Sequence, residues 1–168
     1  MNLVTALAIV IGVMGGIATW LVLGPLAMLG LQIWIIFIAW ASYFHCGGGE
    51  AGAKASLPAM LWGAIMGTIA LAVIGSLGGA GGLFGVSAVV GITVIILILG
   101  AHLPLLAAIP AGVYGYACAA AFGLLKADAA ALGFNLGTGV FTTVALSIIV
   151  GTLLGWISGK IAGALAKG

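Results

Sequence analysis

Trp34-Ile-Ile-Phe-Ile-Ala-Trp-Ala-Ser-Tyr-Phe-His-Cys-Gly-Gly-Gly-Glu50 is an apolar run that ends in clustered rings, a histidine, a cysteine, three glycines and the first charged side chain of the chain. Such a run has one natural solvent. Across the 168 residues, 65% are hydrophobic and 4% are charged, whereas a soluble domain carries about 25% charged residues to cover its surface. This chain cannot build a water-facing surface, so the bilayer must play that part. Only helices and closed barrels satisfy every backbone group in lipid. The apolar runs are about twice a barrel strand in length and do not alternate, which predicts helices.

Six runs have roughly the length of a bilayer crossing: 3–23, 26–44, 57–77, 84–103, 105–125 and 138–158. The expected fold class is therefore an all-α membrane protein with six transmembrane helices in a single transmembrane domain, 1–168. Residues 3–23 read as a retained first helix rather than a cleaved leader. Pro25 lies between the first two runs and Pro104 between the fourth and fifth. A proline ends a helix, so each pair is expected to form a tight helical hairpin. The remaining connections are glycine-rich or polar: 47–56, 78–82 and 126–137.

The two halves look alike. Ile33-x-x-x-Phe-Ile-Ala-Trp-Ala-Ser42 aligns with Ile109-x-x-x-Val-Tyr-Gly-Tyr-Ala-Cys118, and Pro25 with Pro104. Three crossings per half would invert the second copy in the membrane, giving two inverted three-helix repeats, 1–78 and 83–160. Inverted repeats are a recurring plan of transporters, with the solute held at the repeat interface. Basic loops stay in the cytoplasm. Lys54, Lys160 and Lys167 fall on one side and Lys126 on the other, which places both termini in the cytoplasm. Glycines four apart, Gly12/Gly16, Gly63/Gly67 and Gly151/Gly155/Gly159, predict faces where backbones approach closely.

The chemistry available is sparse. The chain has no arginine, and no acidic residue falls within a predicted helix. Proton- or sodium-coupled carriage and metal pumping lack the buried carboxylates they use. No nucleophile–base pair and no phosphate loop is visible, so an enzyme is not expected, nor a cofactor, nor a nucleic-acid partner. His45, Cys46 and Glu50 do not have zinc-ligand spacing, and a histidine closing a helix is also what the helix dipole favours. The candidate pore-lining or solute-binding residues are Trp40, Tyr43, Phe44 and His45, with Tyr114, Tyr116 and Phe122 as the mirrored set. Their competing role is helix packing. Neutral polar residues such as Gln32, Thr68, Thr93, Ser147 and Thr152 would complete the lining.

Four stretches together resemble a small bacterial inner-membrane family, domain of unknown function 1097. They are Gly12-Val-Met-Gly-Gly-Ile-Ala-Thr-Trp20, Trp34 to Gly48, Ile109-Pro-Ala-Gly-Val-Tyr-Gly-Tyr-Ala-Cys-Ala-Ala-Ala-Phe122, and Gly151-Thr-Leu-Leu-Gly-Trp156. The resemblance implies fold, membrane and bacterial origin, and no activity. The expected function is a channel or facilitator for a small neutral polar solute (urea, ammonia, a short amide or alcohol) across the bacterial inner membrane, built as a homo-oligomer, trimeric or hexameric. The alternative is a non-transporting membrane scaffold or accessory subunit, which the glycine faces suit equally well.

Overall fold

Helices form wherever the chain is apolar, because a backbone in lipid has no partner but itself. The computed structural model describes residues 1–167. Among these residues the helices are α1 (Leu3–Leu23), α2 (Ile33–His45), α3 (Gly49–Ser76), α4 (Gly82–Leu99), α5 (Ile109–Leu125) and α6 (Val140–Lys167). Each falls on one of the six apolar runs. Four stretches are long and apolar enough to cross a membrane: Leu3–Leu23, Gly49–Ser76, Gly82–His102 and Val140–Ala166. The 13 residues of α2 rise only about 20 Å at 1.5 Å per residue, short of the roughly 30 Å of a hydrocarbon core. The 17 residues of α5 come closer.

The expected tight hairpins are not found. Residues 24–32 separate α1 from α2 and include a 3₁₀ turn, Ala27–Leu29. Gly30 then reverses the chain at φ 63° and packs on Gly137. Residues 100–108 separate α4 from α5 and hold two further 3₁₀ turns. α1 stops just before Pro25 as expected, but α4 already ends at Leu99, ahead of Pro104, and in neither place does the next helix restart at once. The stretch 47–56 shows the opposite error. It was expected to be a loop, yet only the turn at Cys46–Gly48 is non-helical, and α3 begins at Gly49. Glu50 sits in its first turn, where a carboxylate favours the helix dipole. Pro58 lies inside α3.

The most extensive packing is α3 on α5, followed by α2 on α6; α3 also lies against α6. The outer helices are held mainly by one neighbour each, α1 by α6 and α4 by α3. The core lies among α2, α3, α5 and α6, with Ile35, Met60, Cys118, Val144 and Ile148 all fully buried. A smaller cluster, Ala6, Val10 and Ala162, joins α1 to α6.

Glycine sets the closest approaches. A Cβ on Gly63 would overlap the Gly112 carbonyl oxygen, and one on Gly115 would overlap the Met60 carbonyl oxygen. Across the other pair of helices, a Cβ on Gly151 would overlap the Ile36 carbonyl oxygen. Without a hydrophobic drive between helices in lipid, this van der Waals closeness holds them together. Gly12 and Gly16 behave differently: a Cβ at either meets nothing within 4 Å, so that predicted face has no neighbour within the protomer.

Candidate functional site: a groove between α2 and α5

Residues α2 and α5 bring together meet in opposite order along the two helices. Ile38, Ala41 and His45 from α2 line a cavity of about 440 Å³ with Tyr114 and Ala117 of α5. Gln32 and Trp34, at the start of α2, line a second cavity of about 230 Å³ with Ala121, Phe122, Leu125 and Lys126, at the end of α5. The helices are therefore antiparallel, and the two cavities mark the two ends of one seam. Ala41, His45 and Ala117 are exposed, so the larger cavity is a groove open to the side.

One polar pair bridges it. His45 Nδ1 and the Tyr114 hydroxyl lie 2.9 Å apart, with ring centroids at 5.8 Å and planes inclined by 42°. Which of them donates is set by the imidazole tautomer. The rest of the wall is aliphatic. A solute there would find one donor–acceptor couple on an apolar surface, which suits a small, neutral, weakly polar molecule. At the other end Trp34 Nε1 donates to Gln32 Oε1 at 3.3 Å, and Gln32 Nε2 donates to the Gly30 carbonyl at 2.8 Å. Lys126 is hydrogen-bonded to Asp128. That contact holds the Asp128 carboxyl below its ordinary value and offsets the lysine charge beside the second cavity.

Of the sequence-predicted residues, the structure brings His45 and Tyr114 together in the groove. It sends the others elsewhere. Trp40 is 2% exposed and donates from Nε1 to Ser158 Oγ on α6 at 2.9 Å. Tyr43 is 1% exposed; its ring lies against Gly155, and its hydroxyl accepts from the Gly49 N–H at 2.7 Å. Phe44 is half-buried, edge-on to Tyr43 at 5.0 Å between centroids. Tyr116 points to α4, its hydroxyl 3.0 Å from Thr93 Oγ1. Phe122 is buried in the core and borders only the second cavity. The expected neutral polar lining is also mostly self-satisfied. Thr68, Thr93, Ser147 and Thr152 each donate to a carbonyl four residues earlier in their own helix, a common fate of helical hydroxyls.

Among the described residues, every buried side-chain nitrogen and oxygen has a hydrogen-bond partner. Removing one partner should therefore show. Ser158→Ala leaves the buried Trp40 N–H without an acceptor, and the expected loss is about 1–3 kcal/mol, read as a lower midpoint of thermal unfolding in detergent. A midpoint equal to wild type would mean that the Trp40–Ser158 bond contributes nothing.

The residues that sequence reasoning missed are Ile38, Ala41 and Ala117. Phe37, Ala41 and His45 are spaced four apart and are all exposed, so they form one open stripe on α2.

A family model described as "Protein of unknown function (DUF1097)" matches residues 8–163. No curated protein and no solved structure matches the chain.

Proposed function

The chain belongs to the DUF1097 family, and we propose that it is a channel or facilitator for a small neutral polar solute in the bacterial inner membrane. The observation that carries this reading is the α2/α5 groove. Its volume of about 440 Å³ is in the range of small-molecule sites, and the His45–Tyr114 couple is the polar handle within it. Urea, ammonia, a short amide or a short alcohol fit that chemistry.

The groove takes on this meaning if the chain is two inverted repeats, and three features support that arrangement. The first is burial. In the alignment that pairs Ile33 with Ile109, Ile35 and Ala111 are both buried, Phe37 and Val113 are 41% and 42% exposed, and Ser42 and Cys118 are both 0% exposed. The second is packing: exchanging α1–α3 with α4–α6 turns the α3–α5 contact into α6–α2 and the α1–α6 contact into α4–α3. The third is the closest backbone approach, Gly63 on Gly112 and Gly151 on Ile36, since Ile36 and Gly112 are partners in the same alignment. The groove's walls are partners too, Ile38 with Tyr114 and Ala41 with Ala117. A site of this kind sits on the axis relating the halves, as solute sites do in inverted-repeat transporters.

In this reading all six helices cross, with the turns at 27–29 and 100–106 completing the distance for α2 and α5. The end that carries Lys54 and Lys160 is cytoplasmic. A homo-oligomer, trimeric or hexameric, would wall off the open side of the groove. One observation favours a scaffold instead: Trp40, Tyr43 and Phe122 are committed to packing. Solute-driven volume change in proteoliposomes decides. The expected result is faster entry than in protein-free vesicles for at least one neutral solute, with no conductance to ions. Entry at the protein-free rate for a whole panel of such solutes would leave the scaffold reading.

A further inference from the structure

A second groove, of about 330 Å³, lies where α1 begins and α2 turns into α3, against Trp156, Gly159 and Lys160 of α6. One cation and one anion border it, Lys160 and Glu50. Lys160 Nζ sits 3.7 Å above the centroid of the Trp156 ring and makes no ion pair within the described residues. Glu50 reaches Lys54 only at 4.0 Å, and both of those side chains are largely exposed, so that pair holds its carboxylate weakly. Leu3, Leu7 and Phe44 form the apolar side of the groove. Between them the wall is bare. Gly47 and Gly49 turn at φ 92° and 62°, and a Cβ at either would meet nothing within 4 Å.

We propose that this groove binds the headgroup of a zwitterionic phospholipid carrying a primary amine. The phosphate lies on Lys160, backed by the indole of Trp156. The ammonium lies on the Glu50 carboxylate. The acyl chains leave over Leu3 and Leu7 along the exposed flank of α1. Charge complementarity selects this occupant. A purely anionic headgroup would meet Glu50 unfavourably, and a quaternary amine has no N–H to donate to the carboxylate. The position also fits: a crossing takes about 20 residues, Lys160 lies about that far along α6 from Val140, and tryptophans collect at headgroup level.

Native mass spectrometry of the purified full chain tests it, after exchange into an equimolar mixture of phosphatidylethanolamine, phosphatidylcholine and phosphatidylglycerol. Wild type should retain phosphatidylethanolamine about fivefold over each of the others, the factor of a partly exposed ion pair. Lys160→Met should lose that retention, and Lys160→Arg should keep it. Glu50→Gln should level phosphatidylethanolamine with phosphatidylcholine while phosphate binding survives. Equal retention of all three lipids by wild type, preferential retention of phosphatidylglycerol, or an unchanged Lys160→Met profile would each overturn the proposal. The readout is lipid mass, so it stands or falls apart from solute flux.

Discussion

Replacing Gly63 or Gly115 by alanine is expected to destabilise the protein by about 2–3 kcal/mol each, the upper part of the range for overpacking. The methyl group has nowhere to go. At Gly63 it would overlap the Gly112 carbonyl, and at Gly115 the Met60 carbonyl. These are backbone atoms of helices, which cannot swing aside as a side-chain tip can. The α3–α5 contact, the most extensive in the fold, must open along its length instead. Gly151→Ala should cost a similar amount, because its Cβ would overlap the Ile36 carbonyl across α2 and α6. Gly12→Ala and Gly16→Ala are the controls. Their Cβ atoms meet nothing within 4 Å, so the change should stay within about 0.5 kcal/mol. The measurement is the midpoint of unfolding in detergent, followed by loss of the monodisperse peak. The Gly63/Gly115 double variant should cost less than the sum of its parts, since both act on one interface. If Gly63→Ala unfolds with wild type while Gly12→Ala unfolds early, the close approach has been assigned to the wrong face.

These glycines also show what could be read in advance. Spacing placed Gly63 and Gly67 on one face and Gly12 and Gly16 on another, but it did not tell which face has a neighbour. The same limit governed the candidate site. Trp40 and Tyr43 do share a face of α2, as their spacing requires. That face meets α6, where large rings gain most by packing. The next stripe round, Phe37–Ala41–His45, was left open, and its alanine carries no chemical signal. His45 was legible as a candidate because it is polar at the end of an apolar run. Its partner Tyr114 was legible only through the internal alignment.

Helix existence was readable for a simple reason: in lipid an apolar run has no alternative. Boundaries were not. The glycines in 47–56 looked like breakers, yet α3 starts there. Tyr43 supplies an acceptor for the Gly49 N–H at its start, and Glu50 complements the dipole. Between α1 and α2 the reverse holds. Gly30, at positive φ against Gly137, delays the restart, a contact with a loop more than a hundred residues away that no local pattern reveals.

Ala41→Trp and Ala117→Trp are expected to lower solute entry by at least about tenfold, equivalent to about 1.4 kcal/mol on the barrier. The two alanines face the groove from opposite helices, and both are exposed. An indole at either position fills the groove without displacing the core, so folding should be unaffected and loss of flux should not coincide with loss of stability. Either substitution alone should block, and the pair should add little, because a path closed at one wall is closed. Tyr114→Phe asks a different question. It keeps the shape of the wall and removes the hydroxyl 2.9 Å from His45 Nδ1. If that couple recognises solute, entry of hydrogen-bonding solutes should slow relative to that of a short alcohol. If it only braces α2 against α5, all solutes should change together and the unfolding midpoint should fall. The measurement is stopped-flow light scattering of proteoliposomes, normalised to protein content. Undiminished flux through Ala41→Trp and Ala117→Trp, in protein that is folded and reconstituted, would place the path outside this groove, whatever the solute proves to be.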